Sequence, residues 1–334
     1  MIKVSLSKLL MRFSPIFLLS SVITLPSWAQ NSGSDFPNKP VTLIVAFAPG
    51  GSNDTLARAL AEPMSRSLGV PVVIENRIGA AGMIGTGHVA RSKPDGYTLI
   101  VASASPMVVS PHTHGKMSYD PQTDFAPISL LGVTPEALAV HPNVPASSLQ
   151  DLIALAKREK ISLASSGNGG LPHLSIELFK RAAGVPEIVH VPYNGAAPAV
   201  TDTLAGHVDG VVVDLPAVFN HIKGNKLRGI ALANPTRSNH LPELPTSIEA
   251  GIPDFIAMNW IGVLAPAGTP ESTVNKLHEA ISVAMQDSKL QASLTKSAVE
   301  PSVSKSPADF DSFLQKEYQK WGTVVREAGI KVEK

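Results

Sequence analysis

Two tempos of hydrophobic patterning alternate along this chain. Short runs rich in β-branched residues, at 41–47, 72–75 and 98–103, are interleaved with stretches carrying apolar residues at helical spacing, at 54–68 and 81–91, before a longer irregular stretch. A second series opens near Ala137, with strands expected at 137–140, 161–165, 188–191 and 210–213 and helices at 149–158, 172–183 and 197–204. Strands follow at 227–233 and 261–264, and two closing helices at 271–285 and 308–327. Strand then helix, repeated, predicts an α/β architecture with a mostly parallel sheet. The Pro-rich stretch 242–253 reads as a connection, and the closing helices can cover the first series if the chain returns to it. The expectation is a discontinuous first lobe (36–134 and 256–334), a second lobe (135–255) and two crossings between them. Paired α/β lobes place a cleft at the carboxyl ends of their strands.

The first thirty residues stand apart from this pattern. Lys3, Lys8 and Arg12 precede an apolar stretch at 13–25, and Ser27-Trp28-Ala29 puts small residues at the two positions a signal peptidase reads. This predicts an export signal (1–29) cleaved near Ala29 and a periplasmic location. The apolar stretch is shorter than the roughly 20 residues a spanning helix needs.

Composition narrows the partners. Roughly 300 residues remain after the signal, enough for two lobes with sizeable cores. There is no cysteine, so disulfides and a lipidated N-terminal cysteine are both excluded. Charged residues make up 16% of the chain and the net charge is +1, which provides no large field for nucleic acid or an anionic membrane surface. A monomer without cofactor or metal is expected.

The candidate chemistry lies in two turns. At the carboxyl end of the first strand stand Pro49, Gly50, Gly51, Ser52, Asn53 and Asp54. Two glycines permit unusual dihedrals and close ligand approach, and the next three residues are all helix-capping types. A helix start leaves amide N–H groups free and carries the positive end of the dipole, so an anion can be held there without Lys or Arg. Asp54 is an awkward neighbour for an anion and reads better as a residue fixing the loop. The second turn, Pro192-Tyr193-Asn194-Gly195-Ala196-Ala197-Pro198, repeats the same chemistry after the strand at 188–191, with Pro suited to the helix's first turn. If the lobes face each other, two helix starts converge on one cleft. Gly51→Val is then expected to remove carboxylate binding while the fold persists, as read by calorimetric affinity and circular dichroism.

Enzyme motifs are weaker. Residues 85–90, GTGHVA, fit a dinucleotide fingerprint formally, but no acidic residue follows at the end of the next strand to hold a ribose. His112 and His114 lack a third ligand at a telling spacing. No Gly-x-Ser-x-Gly elbow occurs, and the Ser293–Lys296 tetrad lacks its companion motifs. Glu75-Asn76-Arg77 is expected to tie the following Gly-rich loop. Trp260, Trp321 and Phe255 are expected in the core, and Lys223, Lys226 and Arg228 on a solvated surface.

Seven segments taken together are specific: 47–58 (FAPGGSNDTLAR), 72–100, 165–180, 191–210, 224–232, 241–255 and 260–270 (WIGVLAPAGTP). In this order they resemble the substrate-binding proteins of tripartite tricarboxylate transporters, also called Bug receptors. The resemblance implies a type II periplasmic binding-protein fold whose two α/β lobes close on a small organic anion, delivered to integral membrane transporter subunits or to a membrane sensor. Carried over by position, it assigns the grip to residues 49–54 and to Tyr193, Asn194, Gly195, Ala196, Ala197 and Pro198. Ser103, Ser105, Ser166, Asn168, His173 and Asp214 line the rest. Residues 169–172 read Gly-Gly-Leu-Pro where the family more often has small hydroxyl residues. The competing readings are a secreted α/β enzyme acting on a carboxylate and a receptor serving only a sensor. Which acid is bound is not fixed by either turn.

Overall fold

The run Val41–Val45 forms β1, the centre of a parallel group, because every second residue and more is apolar and both faces are covered. The structure, a computed structural model, describes Ile2 and residues 36–329; apart from Ile2, the expected export signal lies outside the described residues. In chain order the elements are β1, α1 (Ser52–Leu68), β2 (Val72–Asn76), a single turn at Ala80–Gly82, α2 (Met83–Ala90), β3 (Thr98–Ser103), a π-turn at Ser105–Val109, α3 (Ser110–Thr113) and β4 (Phe125–Val140). There follow α4 (Leu149–Ala156), β5 (Ser162–Ser165), α5 (Leu171–Ala183), β6 (Val189–Pro192), α6 (Ala196–Leu204), β7 (Gly210–Asp214), α7 (Leu215–Lys223) and β8 (Arg228–Leu232). The chain closes with β9 (Met258–Pro266), α8 (Glu271–Ala284), α9 (Ser288–Lys296), β10 (Glu300–Pro301) and α10 (Pro307–Ala328).

The strands run β2-β1-β3-β9-β4-β7-β5-β6, with β8 and β10 also paired to β4. β1 pairs in parallel with β2 and β3, and β5 in parallel with β6 and β7, which gives each lobe its own strand-helix repeat. The two antiparallel strands β4 and β9 join them. β4 pairs with β9 through Pro135 opposite Met258, then with β7 and β8 from Glu136 onward. The expected second series therefore opens inside a 16-residue strand, not at its start. Pro127, Gly132 and Pro135 disguise its first half, because proline and glycine mark bulges and edges in strands. β4 takes Pro127 and Gly132 where its register against β9 shifts, and Pro135 at the last pair of that ladder.

The closing segment returns to the first series: β9 pairs with β3, and α8 and α9 pack on α1 through Leu56, Leu60, Leu277, Ile281 and Leu290. α7 and α9 were absent from the sequence pattern, since α7 follows β7 without a loop and α9 is short and polar. Trp260, Trp321 and Phe255 are buried, and Trp260 meets Phe310 edge to face at 5.8 Å. Among the described residues no helix is long and apolar enough to cross a membrane.

Candidate functional site

Four helices begin where their strands end: α1 after β1, α5 after β5, α6 after β6 and α7 after β7. Their starts face one another across the two lobes. The opposing loops approach so closely that side chains are excluded at several points. A Cβ added at Gly195 comes within 3.0 Å of Ala48 Cβ, and one at Gly167 within 2.8 Å of Ala81 Cα and Cβ. A Cβ at Gly170 meets Ser105 Oγ at 2.9 Å, and that hydroxyl accepts a hydrogen bond from Leu171 N at 3.0 Å.

Between them lies a cavity of about 20 Å³ lined by Phe47, Gly51, Ser52, Asn53, Ser103, Ser105, Glu136, Ser166, Pro172, Ala196, Asp214 and Asn259. That is room for about one water molecule, so an organic acid enters only when the two sides part. Of the residues the sequence pointed to, Gly51, Ser52, Asn53, Ser103, Ser105, Ser166, Ala196 and Asp214 line this space together.

The α1 turn differs in detail from its reading in the sequence. Gly51 is the N-cap, so Ser52, Asn53 and Asp54 form the first helical turn instead of capping it. Their amides precede the first intrahelical hydrogen bond, Thr55 N to Gly51 O at 2.9 Å. Gly50 needs its freedom, with φ at +85°, whereas Gly51 sits at φ −77°, open to any residue. A Cβ at Gly51 meets nothing closer than Ala48 O at 3.6 Å, so Gly51→Val acts only by bulk at the cavity edge. Asp54 is buried with its carboxylate accepting from Gly50 N, Arg58 Nε and Asn76 Nδ2, each at 2.9 Å. Burial pushes its acidity the other way, but these three donors outweigh it and hold the carboxyl below its ordinary range. Asn76 also donates to Phe47 O at 3.0 Å, so it ties the preceding glycine loop and not the following one. Arg77 pairs with Glu75.

The second lobe keeps some residues away from the cavity. Tyr193 donates its hydroxyl to Asp202 at 2.7 Å and packs on the second-lobe core. Asn168, Asn194, Pro49 and Gly50 are exposed and outside the lining, and Pro198 is half-buried within α6. Ala197 faces Gly50, whose added Cβ would meet it at 3.8 Å. Gly195 adopts φ +131° as the N-cap of α6. His173 accepts from Gly169 N at 2.9 Å and stacks on His190 at 3.8 Å, while His190 bonds Ser165 Oγ at 2.6 Å. Burial, then the nearby His173 and Lys180, pushes His190 down to about 3, and burial lowers His173, so both rings are neutral braces of the 166–170 loop.

Two lining residues went unread in the sequence. Glu136 is 1% exposed, stands directly opposite Asp214 in the β4–β7 register, and leaves Oε2 without a partner. Its signal was a lone acid opening the apolar run 137–140. Asn259 accepts from Ala104 N at 3.2 Å and carried no comparable signal. Asp214 accepts the hydroxyl of Ser52 across the lobes. Burial pushes both carboxyls up, and the charge of Asp214 pushes Glu136 further.

The rejected motifs have structural roles. Residues 85–90 lie inside α2, His112 bonds Tyr318 O at 3.0 Å, and His114 bonds within its own turn. Among the described residues no group of three or more His, Asp or Glu side chains is arranged to hold a metal.

Comparison with known proteins matches this geometry. The profile of the family described as "Tripartite tricarboxylate transporter family receptor" matches residues 56–330. This chain belongs to that family. Within it, the chain is 37% identical to Protein BugT of Bordetella pertussis over 321 residues, covering 95% of this chain and 97% of the other. The solved structure of R. palustris Rpa4515 with adipate superposes at TM-score 0.84 with 35% identity, covering 89% of this chain and 99% of that one. MatC from Rhodopseudomonas palustris, with bound malate, gives TM-score 0.83 with 32% identity, covering 87% and 100%. The family's two-lobed α/β binding-protein fold is the fold described above.

Proposed function

We propose that this family receptor works in the periplasm, where it captures a small organic carboxylate between its lobes and delivers it to integral membrane transporter subunits of the tripartite tricarboxylate type. In this reading the lobes divide near 134 and 256, at the two strands β4 and β9, and the protein acts as a monomer without cofactor or covalent chemistry. The observation that carries it is the convergence of the α1 and α6 starts on one cavity whose lining holds no Lys or Arg. Free amides and helix dipoles select an anion by charge and geometry. Ser52 gives its hydroxyl to a carboxylate, and no imidazole stands in the lining to take its proton, which favours binding over acyl chemistry. Adipate and malate, held by two relatives, are acids of the class the cleft suits.

Closure couples to binding only if the ligand prefers the closed form. The test is a thermal-shift screen against organic acids, followed by calorimetry. An acid at 100 times its dissociation constant stabilises by about 2.7 kcal/mol, a rise of several degrees. No shift with any carboxylate, or equal shifts with neutral amides of the same acids, contradicts the reading.

A further inference from the structure

The cavity lining has two kinds of unsatisfied chemistry at once. Asn53 Nδ2 is a hydrogen-bond donor without a partner on a residue only 4% exposed, beside the free amides of α1. Glu136 Oε2 is an acceptor without a partner on a residue 1% exposed, beside Asp214 at 6%. Donors suit a carboxylate; two buried carboxyls do not. Directly opposed like charges on adjacent strands destabilise a sheet, and burial raises that cost. Among the described residues, the side chains that lend the pair a polar group are Ser52, whose hydroxyl goes to Asp214, and Asn259, which also favours the Asp214 carboxylate; both are neutral. No Lys, Arg or His lines the cavity to neutralise them.

We propose that the Glu136–Asp214 pair is the cation-binding end of the cleft, and that the ligand is a small organic acid that also carries a protonated amine, an amino acid in chemical class. This rests on the carboxylate reading above and adds the opposite pole. An ammonium offers three donors and no acceptor, which matches acceptor-only carboxylates. It converts an uncompensated buried pair into a paired one, the condition under which buried charge is tolerated. The carboxylate then lies against the α1 amides and Asn53 Nδ2, and the ammonium against Glu136 and Asp214. An unsubstituted dicarboxylate would bring further negative charge to the same place.

Matched acids separate the two poles. Aspartate, malate and succinate share one skeleton and differ in carrying an ammonium, a hydroxyl or only hydrogen; glutamate, 2-hydroxyglutarate and glutarate repeat the series one carbon longer. Calorimetry on the purified protein is expected to favour the amino member of at least one series by about tenfold or more, the scale of a charge-assisted hydrogen bond. Glu136→Gln keeps the side-chain shape and is expected to remove that preference, with unchanged or tighter binding of the unsubstituted acid; its melting curve reports folding. An unsubstituted or hydroxy acid bound at least as tightly as its amino counterpart in both series overturns the proposal and leaves the carboxylate reading standing. An amino preference that survives in Glu136→Gln overturns the assignment of the pair. Binding of no acid in either series or in the wider panel overturns both.

Discussion

Gly167→Val is expected to weaken ligand binding by roughly 5- to 150-fold while leaving the melting point of the ligand-free protein nearly unchanged. The range follows from the about 1–3 kcal/mol that forcing extra carbon into a packed contact costs. At Gly167 a Cβ arrives 2.8 Å from both Cα and Cβ of Ala81 on the opposing lobe. Ala81 has little room to yield, because it sits at φ +50° between Ala80 at φ +49° and Gly82, already in the left-handed region. Gly167 itself has no positive φ, so the substitution strains no backbone of its own. The clash therefore exists only when the lobes are together, and the penalty subtracts from closure. A ligand that binds the closed form loses apparent affinity by the factor that form loses in population. Gly195→Val would mix this wedge with strain at φ +131°, which makes it the poorer test. Calorimetric affinity beside the melting point of the free protein checks the expectation, and an unaltered dissociation constant would show that the Gly167–Ala81 contact is not part of binding.

The sequence made the strand-helix repeats legible because β-branched runs such as 41–45 and 98–103 are buried on both faces, and buried parallel strands write themselves as continuous apolar text. The two glycine turns were legible as strand-to-helix turns for a related reason: glycine and small residues between an apolar run and a helical pattern mark the handover from strand to helix. β4 was not legible as one strand, since Pro127 and Pro135 mimic a loop and only pairing with β9 reveals the extended path. At the site, periodicity says which face of an element is buried but not which partner it meets. Ser52 and Asp214 are 162 positions apart and touch across the cleft. His173 and Tyr193 looked like ligand contacts by position, yet each spends its polar group within its own lobe, on Gly169 and Asp202. Glu136 was hidden because one acid at the head of an apolar strand reads as a strand end at the surface; β4 continues past it on both sides, and the residue is interior.

Glu136→Gln is also expected to stabilise the ligand-free protein at neutral and mildly alkaline pH, with a gain that shrinks to nothing in acid. The ordinary glutamate value is 4.5, and burial followed by the charge of Asp214 raises Glu136 well above it in the folded chain. Between those two values the folded protein holds a proton that the unfolded chain has released. Stability is thus fully present below 4.5 and falls as pH rises toward the folded-state value, by up to about 1.4 kcal/mol per pH unit. Asp214, raised from 3.8 by burial against the opposing pull of Ser52, adds a loss of the same sign. The polar side chains lining the cavity with Glu136 are Ser52 and Asn53 from α1, Ser103 from β3, Ser105, Ser166, Asn259 from β9 and Asp214 from β7, and Asp214 alone among them is an acid or a base. Glutamine fills the same volume and has no proton to lose, so its profile lacks the Glu136 component of that slope. Urea midpoints measured from pH 4 to pH 9 for both proteins give the comparison: the curves should meet near the acid end and diverge upward, whereas parallel curves would mean that Glu136 is no weaker an acid in the folded chain than in the unfolded one. A bound ammonium restores the ionised pair, so the wild-type deficit should close when an amino acid ligand is added and persist when the unsubstituted acid is added. The pH profile and the ligand preference are then two readings of one buried carboxyl that the free protein keeps neutral only by holding a proton.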